Sequence, residues 1–303
     1  MSRRAKLILF GVGLLAVVIL LYVIFGSTGQ NNDFQPQNEF KLDPWVKIKL
    51  GSLDLSINKA VLYLILGSVF TVLSMTWVAR RMTAKPNRVQ TAVESAYQLM
   101  RDNITAGNMD EAMAKRWFSF IGTLFLFIWF SNMIGYLPLP TSTEHKINIF
   151  GAHIPSFALY AATANISVTL ILSFVVWIAY HVEGIRAKGF FGYFRSWLPA
   201  GTPRGPGGLG YAGIFLIEVI SQFVRLISLS VRLFANILAG HLLILFMGGG
   251  LVVLLGLAAL GPITFIVAVA FFMFEVVLIA TLQAFIFATL ASIYFGGATA
   301  AAH

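Results

Sequence analysis

Apolar residues fall into six long runs, at about 7–25, 60–78, 118–137, 157–180, 211–247 and 262–295, separated by shorter polar stretches. A hydrocarbon core of about 30 Å takes about 20 apolar residues to cross as a helix, so each run predicts a membrane helix. The fifth and sixth are too long for an upright crossing, since as helices they extend roughly 55 and 50 Å at about 1.5 Å per residue. They must tilt steeply, bend, or lie partly outside the core. The triplet Gly248 to Gly250 and Pro262 bracket the connection between them, which predicts a long hairpin. The expected fold is an all-α polytopic membrane protein of about six membrane helices, the last two forming a long, strongly tilted hairpin.

The stretches between the runs refine this outline. Run 7–25 follows Arg3, Arg4 and Lys6 and reads either as a secretory signal or as a first membrane helix. It exceeds a signal core in length, and the GSTGQNN after it lacks an A-x-A cleavage pattern. A retained helix over 1–26 is expected, with 27–303 as one membrane domain. Residues 27–58 are polar, with an amphipathic patch, WVKIKLGSLDL. From Asn87 to Trp117, Val89, Val93, Ala96, Tyr97 and Met100 recur at helical spacing, predicting a helix along the membrane face that is either a connector or a docking site. His181 to Gly210 is expected to be a basic loop rich in Pro and Gly. Its GTPRGPGG lacks the G-K-[ST] ending of a phosphate-binding loop. His145, His153 and His181 are placed in loops or at span ends, in contact with water.

Composition excludes a soluble domain: 58% of residues are hydrophobic and 11% charged, against about 25% charged in soluble proteins. Cysteine is absent, which rules out disulfides and thiolate metal sites. No grouping has metal-ligand spacing, and no cofactor is expected. The net charge of +9 does not signal nucleic acid, because the basic residues cluster between the apolar runs, where they report topology. With the N-terminus inside, fourteen of the 21 Lys and Arg residues lie on the cytoplasmic side, five lie opposite, and Arg225 and Arg232 are intramembrane. Both termini are therefore expected in the cytoplasm, with Glu218 toward the cytoplasm, Arg232 deeper, His241 and Glu275 toward the outside, and Gln283 deeper again.

Within the fifth run, EVISQFVRLISLSVRLFANILAGH carries Glu218, Gln222, Arg225, Arg232, Asn236 and His241. An ionised side chain at mid-bilayer costs about 2.5 to 3.5 kcal/mol on insertion scales, so several in one helix call for a role. At 100° per residue the first five lie within about 80° of each other, and His241 lies opposite Arg232. Ser228, Ala235 and Ala239 flank the stripe and would let another helix come close. Arginine does not deprotonate in proteins, so a proton moving along side chains stops at Arg232. Protonatable groups on either side then form two separate routes, and a moving partner must bridge them. Asn165, near the start of the fourth run, either lines the outer route or hydrogen-bonds between helices.

The segment SLSVRLFANILAGHLL closely resembles the signature of subunit a of the F-type ATP synthase. NMIGYLP from Asn132, ANISVT from Ala164, HVEGIRAKGFFGY from His181 and TLQAFIF from Thr281 are similar to the family's other blocks, in family order. The resemblance covers roughly residues 45 to 297. It implies a non-catalytic, proton-translocating stator subunit of a rotary ATP synthase in a bacterial cell membrane. It also implies partners: a ring of c subunits, each with one lipid-facing carboxyl, and the b subunits of the peripheral stalk, which would dock near 87–117. On this resemblance Arg232 is the essential arginine dividing two offset half-channels, with Asn236 and Gln283 as its polar neighbours. Glu218 serves cytoplasmic access, and His241 and Glu275 form a pair on the outer path. The extra N-terminal run departs from the simplest bacterial pattern. Glu275 stands eight residues before Gln283 where the family spacing is seven, which calls for a local bulge or a register difference.

Two other classes compete. A self-contained proton-coupled transporter would show inverted repeats or paired broken helices, and the chain has no clear internal repeat. A membrane anchor would hold a cofactor through histidine and carry a chromophore when purified.

Overall fold

The computed structural model describes residues 40–51, 53–142, 146–149, 152–198, 208–250 and 261–300, with isolated positions before residue 20. The run 7–25 and the tip of the hairpin, 251–260, lie outside the described residues. Among the described residues five helices are long and apolar enough to cross a membrane, which makes this a multi-pass, all-α membrane protein.

In chain order, a short hairpin of β1 (Lys49–Leu50) and β2 (Leu53–Asp54) precedes α1 (Lys59–Arg80). Asn58 caps α1 by accepting from the Val61 amide. The surface segment follows as α2 (Arg88–Gln98), capped by Asn87, and a π-helical stretch, Leu99–Thr105. The expected helix is thus broken before the next span, α3 (Glu111–Gly135), which starts earlier than its apolar run. Two small hairpins, β3 (Leu139–Pro140) with β6 (Phe157–Ala158) and β4 (Lys146–Ile149) with β5 (Ala152–Pro155), occupy the connection to α4 (Ile166–Lys188). Then come α5 (Phe190–Arg195), α6 (Gly208–Leu245), a π turn Phe246–Gly250, α7 (Gly261–Phe274), a second π turn Glu275–Ile279, and α8 (Ala280–Thr299). Helix α6 has 38 residues, or about 57 Å, in line with the long first arm of the expected hairpin.

The chain divides into two compact units: Pro44–Leu137, Tyr160–Leu238 and Ile279–His303, and Met1–Asp43, Pro138–Leu159 and Ala239–Leu278. In the larger unit α3 supplies Ile121, Leu124, Phe125 and Ile128, and α8 meets it with Ala284, Ala288 and Ala291. Small side chains let the two backbones approach, which is what drives helix association where lipid is as apolar as leucine. Polar ties add specificity. Asn132 is fully buried, donating from Nδ2 to the Ala280 carbonyl at 3.3 Å and accepting from Thr163 Oγ1 at 2.6 Å. The Trp129 indole donates to Thr281 Oγ1 at 3.1 Å.

Of the expected loop His181 to Gly210, the described residues are largely helical. α4 continues to Lys188, and after Gly189, whose φ of 73° reverses the chain, α5 begins. His181 is accordingly buried, against the expectation of a solvated side chain. Its Nδ1 lies 2.8 Å from the Trp177 carbonyl, which only accepts, so Nδ1 carries the proton. Trp177, Tyr180, Tyr193 and Trp197 pack around the ring. Glu183 is buried and paired with Arg116 Nη1 at 2.7 Å and Arg186 Nη1 at 3.8 Å, pinning α4 to the start of α3. Gly184 has the Tyr193 ring where a Cβ would sit.

Candidate functional site

Three polar residues of α6 converge within the larger unit. Gln222 is buried, and its Nε2 donates to Glu218 Oε1 at 2.7 Å. The Tyr180 hydroxyl, from α4, donates to Gln222 Oε1 at 2.8 Å. Arg225 Nη2 lies 3.6 Å from Glu218 Oε1, and its guanidinium sits over the Tyr294 ring at 5.8 Å. This group opens on a cavity of about 430 Å³ also lined by Lys188, Tyr193, Ser196 and Trp197. Such a space is large enough to admit several waters beside the carboxylate. Burial pushes the Tyr193 phenol up, so that wall stays neutral.

Fourteen residues beyond Glu218, or about 21 Å along the helix, Arg232 is exposed. Ser228, Ala235 and Asn236 are exposed beside it, and Ala239 continues the face. Leu229, Leu233 and Ile237 of the same stretch are buried in the core, whereas Ile227 and Val231 are exposed. The small and polar side chains exposed beside Arg232 let another helix approach closely, which gives this face the character of a contact surface. Among the described residues Arg232 has no ion pair, and Glu218, held by Arg225, lies too far along the helix to reach it. Gln283, buried on α8, lines a narrow crevice with Arg232, Leu229 and Phe287. Arg232 and Gln283 are thus brought together.

In the smaller unit His241 and Glu275 are both buried. The Glu275 carboxyl rests on the α-carbon of Gly240, and a Cβ there would overlap all three carboxyl atoms. Glu275 also opens the π turn Glu275–Ile279. A π turn holds one residue more than an α turn, so an eight-residue interval containing one has the helical phase of seven α-helical residues. The irregular spacing corresponds to a local bulge. Asn165 caps α4, accepting from the Ser167 amide at 2.8 Å, and its side chain bonds the Tyr160 phenol, which burial pushes up to about 12. Its contacts lie at the start of α4, apart from the Glu218 group.

The family model described as ATP synthase A chain matches residues 61–296. The ATP synthase subunit a of Rubrobacter xylanophilus is 34% identical over 256 residues, covering 83% of this chain and 88% of its own. That of Hyphomonas neptunium is 30% identical, covering 87% and 95%, and that of Rhodospirillum rubrum 32%, covering 87% and 97%. The chain belongs to the ATP synthase subunit a family.

In this subunit a family member, two of the sequence blocks have a structural account. Asn132 and Thr281 tie α3 to α8, and the block from His181 builds the aromatic and ionic joint between α3, α4 and α5. Sequence reasoning missed three site residues. Gln222 stands in the polar stripe without an assigned role, Tyr180 closes the fourth apolar run with nothing else to mark it, and Gly240 has no signal beyond its position before His241.

Proposed function

We propose that this chain is the proton-channel subunit of the Fo stator in an F-type ATP synthase. It offers two offset aqueous routes to the carboxylates of a c-subunit ring, kept apart by Arg232. One observation carries the reading: Arg232 is exposed, without an ion pair among the described residues, on a membrane-helix face made of Ser228, Ala235, Asn236 and Ala239. A guanidinium facing lipid costs several kcal/mol, so a partner with a negative charge must cover it.

A carboxylic acid carried in lipid is neutral, because burial can raise a Glu pKa to about 8 or 9. Brought to about 4 Å from Arg232 at an effective dielectric near 20, its ionised form gains roughly 4 kcal/mol, or about three pKa units. The acid then gives up its proton. Protons entering from outside past His241 and Glu275 load the rotor carboxyl, and protons released at Arg232 leave through the Glu218 cavity. Asn236 and Gln283 steady the guanidinium, and Asn165 stands at the outer end of α4, on the inlet side. The chain has no catalytic role alone, and the 88–105 segment faces the stalk b subunits. The bacterial relatives and the distribution of Lys and Arg support a bacterial plasma membrane with both termini in the cytoplasm.

Arg232→Ala is expected to abolish ATP-driven acidification of membrane vesicles. Arg232→Lys should fail as well, because an ammonium does not reproduce the wide fork of Arg. Normal pumping by either variant would remove the mechanism.

A further inference from the structure

We propose that Tyr180 and Gln222 are positioning residues that hold the Glu218 carboxylate in its ionised form and so set the cytoplasmic pH at which the inner route works. The proposal rests on Glu218 serving that route.

An ionised carboxylate only accepts hydrogen bonds, so the Gln222 amide must turn its nitrogen to Glu218, as it does at 2.7 Å. The amide oxygen is then left pointing into a buried region and needs a donor. The Tyr180 hydroxyl supplies it at 2.8 Å, from a phenol that is itself 2% exposed. Tyr180 thereby selects one of two amide orientations. With the hydroxyl removed, the amide is free to present its oxygen, which suits only a protonated Glu218. The hydroxyl also polarises the amide, strengthening the N–H bond to the carboxylate. Both effects act in the same direction.

The other charged or titratable groups around the cavity are Arg225 on α6, Lys188 on α4, Tyr193 on α5 and Tyr294 on α8. Arg225 favours the same ionised state at 3.6 Å, with its side chain 39% exposed and so partly screened by solvent. The amide bond is shorter and buried, so its loss is not made up by Arg225.

The experiment uses inverted membrane vesicles containing the whole ATP synthase, whose cytoplasmic face meets the medium. ATP-driven acidification per ATP hydrolysed is followed as the medium pH is raised. Tyr180→Phe keeps the ring against His181 and Tyr294 and removes only the hydroxyl. Once the released Gln222 amide turns away, Glu218 loses the N–H bond that it accepts, and loss of a hydrogen bond to a charged group should move the alkaline limb of pumping upward by about one pH unit. Gln222→Leu should move it at least as far. An unshifted limb in both variants, or a loss equal at every pH, overturns the proposal. Glu218→Gln separates this from the underlying reading: if it too leaves the limb unchanged, Glu218 is not the access group and the reading of the inner route fails.

Discussion

At the scale of single residues, the site depends on what each polar group is denied as much as on what it holds. Arg225 holds Glu218, and Arg232, about 21 Å further along α6, has no carboxylate within ion-pair distance among the described residues. Gly240 shows the same economy of space, because the Glu275 carboxyl fills the position of its missing Cβ. Gly240→Ala must push that carboxyl away, and a displacement near 1 Å can cost about 100-fold in a geometry-dependent step. Vesicle acidification is expected to fall by at least about tenfold. Adding Glu275→Asp, one methylene shorter, should recover part of it. An unimpaired Gly240→Ala variant would mean that the carboxyl position is not critical.

At the scale of elements, α4 is held by an asymmetric ion pair. Glu183 is 5% exposed at its side chain, whereas Arg116 and Arg186 are 65% and 66% exposed. Removing Arg116 strands a buried carboxylate with only the longer contact at 3.8 Å. Removing the charge on Glu183 leaves two guanidiniums that water can solvate. Arg116→Met should therefore lower the stability of the purified complex by about 3 kcal/mol, and Glu183→Gln by clearly less. Thermal unfolding in detergent measures both, and the reverse order would contradict the assignment. The π turn at Glu275 belongs to this scale too. It converts an odd interval in the sequence into a regular helical phase by widening one turn.

At the scale of the whole molecule, sidedness decides which group serves which compartment. The absence of cysteine makes it directly testable. Lys85 and Asn148 are both exposed. With the orientation proposed from the Lys and Arg count, Lys85→Cys should react with an impermeant maleimide from the cytoplasmic side and Asn148→Cys from the outside. The opposite pattern would exchange the two routes.

Five of the six expected spans, the all-α class, the family and the polar stripe of α6 were legible in the order of residues alone. These follow from partitioning, which each residue undergoes against lipid or water almost independently of distant neighbours. Helical periodicity then places residues of one helix on a common face without any tertiary information. The tertiary structure alone decided which Arg pairs with Glu218, that Tyr180 orients Gln222, and that His181 is buried inside a continued helix. It also decided that Gly240 makes room for Glu275. Each of these depends on which non-adjacent helices meet and at what height. Hydrogen bonds and close contacts act over about 3 to 4 Å, and a shift of one helical residue changes the partner.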